Sequence, residues 1–232
     1  MDVIRTNRST AEERAAAVLA DRIRRAVSAR GRAVVAIPGG RSVGGILTRL
    51  ADTDAPLDRM ELFFVDERCV PLADERSNFQ VAQAALIRHR AERGFPIPRD
   101  RIHPFECDPG RQDLGVGAYE QELAAAGGGL DIAVLGIGED GHVASLFPGG
   151  GTPTDPEARF MAVREAPKPP PERMSATPQL LETAETMVLV AFGDGKKNAL
   201  AAFLADEGTI SACPARVVRN NTDLHVITDL AV

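Results

Sequence analysis

One histidine stands out for the company it keeps. His142 follows Asp140 by two residues within Leu135-Gly136-Ile137-Gly138-Glu139-Asp140-Gly141-His142. An imidazole titrates near neutral pH and can take a proton from water; a carboxylate beside it orients the ring and favours its cation. A lone histidine is usually structural, but this one sits in a strand-end glycine loop rather than on an apolar face. Arg68 closes the run Phe63-Phe64-Val65-Asp66-Glu67-Arg68 and offers a fixed cation for a developing oxyanion. The same two carboxylates and arginine also fit a structural ion-pair cluster, with Ser77 or Asn78 capping the next helix. In Pro38-Gly39-Gly40-Arg41-Ser42, glycines between a strand and a helix let backbone N–H groups approach an anion. The plain alternative is a tight turn. Arg173, in Pro167-Lys168-Pro169-Pro170-Pro171-Glu172-Arg173, and Lys196, in Gly193-Asp194-Gly195-Lys196, add cations that can clamp a phosphate. Separately, these segments read as a stiff polyproline connection and a solvated helix face.

Other chemistries fit less well. Gly136-x-Gly138-x-x-Gly141 matches a dinucleotide fingerprint in spacing. Glu139 and Asp140, however, would place two negative charges in the pyrophosphate cradle, and Pro148-Gly149 stops the expected following helix after barely two turns. His89, His103, His142 and His225 show no paired ligand spacing, so no metal site is expected. Cys69, Cys107 and Cys213 form no CxxC pair, so neither a disulfide framework nor a thiolate zinc site is indicated, and a reduced cytoplasmic compartment fits. A formal net charge of −6 argues against general nucleic-acid binding. Charges interrupt the N-terminal segment, and no apolar run approaches the roughly 20 residues of a membrane span. No membrane and no nucleic-acid partner is expected.

The surrounding pattern must position these residues. The chain has 232 residues, 44% hydrophobic and 26% charged, with only nine Phe, one Tyr and no Trp; it suits an ordered single domain over 1–232 with an aliphatic core. Ser9-Thr10-Ala11-Glu12 reads as a capping box opening a helix over 9–30, closed by Gly31. Apolar, β-branched runs predict strands at 33–37, 61–65, 131–135, 186–192 and 224–228, with a shorter one at 102–105. Helices are expected over 43–51, 78–89, 115–126 and 195–205. Residues 66–68 read as a polar loop. Residues 148–178, dense in Pro, Gly and Thr, read as a lid or linker carrying one strand at 159–164. Alternating strands and helices imply a three-layer α/β sandwich with a mostly parallel sheet, whose ligands bind beyond the carboxyl ends of its strands. Three such ends carry Gly-Gly-Arg, Asp-Glu-Arg and Gly-x-Gly-x-Asp-Gly-His.

Together, Gly39-Gly40, Asp66-Glu67-Arg68-x-Val70-Pro71 with Ser77-Asn78, Leu135-Gly136-x-Gly138-x-Asp140-Gly141-His142-x-Ala144-Ser145-Leu146-Phe147-Pro148-Gly149, Pro167-Lys168-Pro169-Pro170-Pro171-x-Arg173 and Gly195-Lys196 resemble the signature of the 6-phosphogluconolactonases, within the larger glucosamine-6-phosphate isomerase/lactonase superfamily. The resemblance spans about 10–228 in consistent order. It implies a Rossmann-like fold and hydrolysis of 6-phospho-D-glucono-1,5-lactone in the pentose phosphate pathway, without a required cofactor. It also implies His142 as the base with Asp140 beside it, Arg68 near the lactone, and Gly39, Gly40, Arg173 and Lys196 around the phosphate. Many members read Ser-Gly-Gly-Ser-Thr-Pro in the first loop; here hydroxyls are lost at Pro38 and Arg41, and Arg41 is a substitute cation beside Ser42. The nearest alternative is an amino-sugar-phosphate isomerase or deaminase. That branch typically reads Phe-Asn-Glu-Pro after the histidine, where this chain has Ser145-Leu146-Phe147-Pro148 and no carboxylate. A non-enzymatic sugar-phosphate sensor would have no need of His142 and Arg68.

Overall fold

Short apolar strands lying side by side form the centre of the molecule. The computed structural model describes residues 1–150, 155 and 157–231, apart from the side chain of Arg41. In chain order the strands are β1 (Asp2–Arg5), β2 (Ala33–Ile37), β3 (Met60–Phe64), β4 (Asp66–Arg68), β5 (Ile132–Gly136), β6 (Phe160–Val163), β7 (Arg173–Ala176), β8 (Thr186–Ala191) and β9 (Leu224–Thr228). The helices are α1 (Arg8–Arg30), α2 (Arg41–Ala51), α3 (Asn78–Ala82), α4 (His89–Glu92), α5 (Val116–Ala126), α6 (Pro178–Glu182) and α7 (Lys197–Leu204), with a π-helical stretch, Gln83–Arg88, joining α3 to α4.

Six strands pair in the order β1-β9-β8-β5-β2-β3, every pair parallel. β2 and β8 are buried at every position, which is why β2 reads as an unbroken Ala/Val/Ile run and β8, after Thr186, as an unbroken apolar one: a parallel sheet covered on both faces has no solvent side. Helices flank this sheet in the expected three-layer α/β arrangement. α1 applies Ala11, Ala15, Leu19, Ile23 and Ala26, one helical stripe, to a core that also holds Val226 and Ile227. Truncating a fully buried Leu such as Leu19 typically costs about 2–5 kcal/mol.

Several local expectations differ from what is observed. The side chain of Asn7, not the Ser9 pattern, caps α1 by accepting from Thr10 N, while Gly31 ends the helix at φ 76° as expected. The edge strand β1 is short and half-exposed, too weak a pattern to stand out. Residues 102–105 contribute only an isolated bridge from Ile102 to Leu62. No helix follows His142; residues 143–149 turn tightly, with a bridge between Val143 and Leu146. Asp66–Arg68 is a strand rather than a loop. It pairs antiparallel with β7, which pairs with β6, making a second sheet of order β4-β7-β6. The described part of the 148–178 excursion therefore builds structure beside Arg68; residues 151–154 and 156, also within the expected lid, lie outside the described residues. Cys69 and Cys107 are joined as a disulfide with Cα atoms 5.1 Å apart, and Cys213 is free and buried. This overturns the expectation that no disulfide is indicated, and removes cysteine usage as an argument for a reduced compartment: a separation of 38 residues carries no motif, and only folding brings the two sulfurs together. Among the described residues, no helix is long and apolar enough to cross a membrane.

Candidate active site

Beyond the C-terminal end of β5 the chain folds back on itself. Gly138 N donates to His142 O at 2.7 Å, and Gly141 N to Gly138 O at 3.0 Å. Gly141 has φ 84° and packs on Cys213, two reasons for glycine there. Gly138 is a close-approach glycine, because any Cβ would collide with Nδ1 of His142 and with the Asp140 carboxylate.

The result is a tight acid–base pair. Nδ1 of His142 lies 2.5 Å from Oδ1 of Asp140. Partial burial pushes the Asp140 carboxyl up, but the hydrogen bond and charge of His142 outweigh it and hold the pKa at about 2. Asp140 is therefore an ionised, acceptor-only group, which assigns the imidazole proton to Nδ1 and leaves Nε2 as a free lone pair. Burial lowers the pKa of His142 below the ordinary histidine value against the opposing pull of Asp140, so the resting ring is neutral at pH 7 and ready to accept a proton.

Asp66, Glu67 and Arg68 separate into two roles. Glu67, 1% exposed, accepts from the backbone N of Arg68, Asn78 and Phe79 and from Ser77 Oγ, at 2.7–2.9 Å. It caps α3. Burial pushes its carboxyl up while these four donors hold it down. Asp66 accepts from Ser145 Oγ at 2.8 Å and from Asn78 Nδ2 at 3.1 Å. Neither carboxylate pairs with Arg68, so the ion-pair reading does not hold. Arg68 Nη1 donates to Arg76 O at 2.6 Å, and its Nε is buried without a partner among the described residues. A buried orphan donor is costly unless a ligand meets it.

The cations converge from two further segments. Arg173, 4% exposed, donates from Nε to Pro170 O (3.0 Å) and from Nη2 to Lys168 O (2.7 Å). It pins the proline-rich segment, and burial lowers its pKa. Lys168, whose own role the sequence reading left unassigned, places Nζ 3.5 Å from Asp140 Oδ2. Lys196 follows β8; burial lowers its pKa, with Glu139 and Asp140 raising it and Lys168 lowering it. Lys168 and Lys196 are thus close enough for their charges to repel, and both act on Asp140 or are acted on by it.

Gly39 lies against the Asn78 side chain so closely that a Cβ would clash. Gly40, at φ 90°, precedes α2, whose N-terminus has no side-chain cap; Ser42 lies in that first turn, with its carbonyl 3.5 Å from Arg8 Nη2. The side chain of Arg41 lies outside the described residues. Asn78 Nδ2 also donates to Asp66 O at 2.8 Å, and Asp66 accepts from Ser145, so β4, the start of α3 and the histidine loop share one hydrogen-bonded frame against which Gly39 packs. A groove of ≈ 940 Å³ lined by Phe79, Ile97, Phe105 and Tyr119 contains none of these groups; the chemistry gathers at the strand ends, not in that groove.

The family model of glucosamine-6-phosphate isomerases/6-phosphogluconolactonase matches residues 6–227. The chain belongs to this family. Among its relatives, the 6-phosphogluconolactonase of Mycobacterium leprae is 34% identical over 225 residues, 92% of this chain and 89% of that protein. That of Streptomyces coelicolor is also 34% identical, over 90% of this chain and 85% of its own length. In structure, a Shewanella baltica 6-phosphogluconolactonase superposes with a TM-score of 0.85 at 21% identity, covering 98% of this chain and 96% of that one. A monomeric glucosamine-6-phosphate deaminase reaches 0.80 at 20% identity, covering 98% and 97%. Proteins bearing both names thus share this fold.

Proposed function

We propose that the protein hydrolyses 6-phospho-D-glucono-1,5-lactone to 6-phospho-D-gluconate, the lactonase step of the pentose phosphate pathway. The observation that carries this reading is the His142–Asp140 pair, which leaves Nε2 of a neutral imidazole unprotonated, on a loop tied through Ser145 and Asp66 to the strand that bears the orphaned Arg68 donor. Nε2 takes a proton from water as the water oxygen attacks C1. Arg68 stabilises the negative charge that develops on the carbonyl oxygen. The C1–ring oxygen bond then breaks, and the imidazolium returns its proton to that oxygen, which leaves as the C5 hydroxyl. Asp140 holds the ring and its tautomer throughout. No cofactor enters these steps.

In this proposal Lys196 and Lys168 hold the phosphate with the N-terminal turn of α2, where Gly39, Gly40 and Ser42 offer backbone N–H groups. Arg173 keeps Lys168 in place and contributes Nη1. Arg41 is a further cation of this turn. The net charge of −6 makes such a clamp more necessary, since the protein as a whole repels a dianion. The cytoplasm is the proposed setting, because a phosphorylated sugar is too strongly charged to pass a bilayer unaided.

The second reading, an amino-sugar-phosphate isomerase or deaminase, draws on the shared fold. Against it, Phe147 brings an aromatic ring, not a carboxylate, to His142. One pair of assays decides. Freshly generated lactone should release protons faster than its spontaneous opening, and glucosamine 6-phosphate should give no ketose phosphate. The reverse pattern would overturn the lactonase reading.

A further inference from the structure

The loop that follows His142 ends in an aromatic residue that the chemistry above does not use. Phe147 is 8% exposed. Its ring centroid lies 4.8 Å from that of His142, with the planes tilted by 40°. The Arg173 guanidinium carbon lies 5.6 Å from the same centroid. One apolar ring therefore touches both the acid–base group and a buried cation.

The loop holds this ring firmly. Leu146 N donates to Val143 O at 2.9 Å and Gly150 N to Phe147 O at 2.9 Å. Gly149 N donates to Ser211 O at 3.1 Å. Ser145 is fixed by Asp66 and, through its N–H, by Ser175 Oγ at 3.1 Å. Ala144 is in the left-handed region at φ 49°, a conformation that costs a non-glycine residue energy and persists only when its surroundings enforce it.

The charges facing the imidazole come from four segments. Asp140 in its own loop and Asp66 on β4 favour the cation; Lys168 from the proline-rich segment opposes it. Arg173 on β7 faces it across the Phe147 contact. With carboxylates and cations partly offsetting one another, the access of water to the ring decides the balance.

We propose that Phe147 is a positioning residue of the hydrolysis, its ring fixing the His142 imidazole and excluding water from the face it covers, so that a neutral base persists beside an ionised carboxylate. This rests on the reading of His142 as the base.

Opening that face lets water solvate the imidazolium, so the apparent pKa of His142 rises toward and past the ordinary histidine value. The test is kcat/KM against pH from 5 to 8 for wild type, Phe147→Leu, Phe147→Ala and His142→Asn, with spontaneous opening subtracted, alongside NMR titration of the His142 ring. Phe147→Ala should move the acid limb and the NMR titration upward by about one pH unit, and Phe147→Leu by less. The Phe147→Ala loss is then greater at pH 6 than at pH 8. A uniform loss at every pH with an unmoved titration would overturn the proposal by reducing Phe147 to packing. If the alanine variant does not fold, the leucine variant carries the same two readouts. Retained activity in His142→Asn would defeat the base itself, and the proposal with it, whatever Phe147 does.

Discussion

Ser145 Oγ donates to Asp66 Oδ2 at 2.8 Å, joining residues 79 positions apart in the chain. Both side chains are buried. The bond ties the loop that carries His142 to the strand that carries Arg68, and Ser145 N reinforces it by donating to Ser175 Oγ, opposite Asp66 across the β4–β7 ladder. The placement of His142 relative to Arg68 is thus set by hydrogen bonds among buried groups, not by loop packing alone.

Ser145→Ala removes a bond to a buried carboxylate and leaves that oxygen unpaired, at a cost of about 1.5–3 kcal/mol. We expect a lower melting temperature and a fall in kcat larger than any rise in KM, because ground-state contacts to the phosphate remain. In a cycle with Asp66→Asn, the two losses should couple by more than about 0.5 kcal/mol. Additive losses would show that the bond does not organise the site.

Much of this arrangement was legible in the sequence. The five buried strands, the helices between them and the three motif-bearing strand ends follow from apolar periodicity and glycine placement. His142 and Asp140 lie in the strand-end glycine loop those patterns give, whereas Arg68 lies in a strand of the second sheet rather than in a loop. What escaped depends on partners distant in sequence. In isolation Asp66 and Glu67 read better as an ion-pair cluster with Arg68, and only the folded chain gives them Ser145 and the N-terminus of α3 instead. β7 was hidden because Arg173-Met174-Ser175-Ala176 alternates over only four residues and follows a proline-rich run; it is a strand because β4 and β6 lie on either side. Lys168 carried one signal, a cation held in a run of prolines, that points to a fixed position but not to Asp140.

The cations should separate by substrate. Lys196→Met and Lys168→Met each remove a charge-assisted contact of about 1.5–3 kcal/mol, so kcat/KM should fall about 10- to 100-fold for the phosphorylated lactone and barely for the unphosphorylated one. Arg173→Ala should harm both substrates and lower the melting temperature, because it also frees the carbonyls of Lys168 and Pro170 and leaves a gap beside Phe147. Equal losses on both lactones for the lysine variants would remove them from the phosphate.

The Cys69–Cys107 bridge begins one residue after Arg68 and spans a separation of 38 residues, for which loop-closure entropy gives about 4 kcal/mol of stabilisation. A dithiol reductant should therefore lower the melting temperature by several degrees, and Cys69→Ser with Cys107→Ser should match the reduced protein and ignore the reductant. Identical melting with and without reductant would mean that the bridge contributes nothing.

The sharpest test falls on His142. A positioned base contributes about 10²–10⁴ in rate, so His142→Asn should lower kcat by that order while its melting temperature and its binding of 6-phosphogluconate stay close to wild type. The pH dependence has a definite sign. Burial depresses the pKa of His142, and only the neutral ring accepts a proton, so wild-type kcat/KM should hold on acidification below pH 6.5 and then fall through the lowered pKa, a limb the asparagine variant lacks. Asp140 stays ionised across that window because its pKa lies at about 2. Asp140→Asn should be similarly damaging, by about 10²-fold or more, because an amide can donate to Nδ1 and drive the proton onto Nε2, blocking the atom that must receive it. If His142→Asn unfolds, the histidine is structural. If it folds and stays within a few-fold of wild type, another group is the base. If Asp140→Asn alone keeps full activity, the carboxylate does not set the tautomer, and the 2.5 Å contact is packing rather than catalysis.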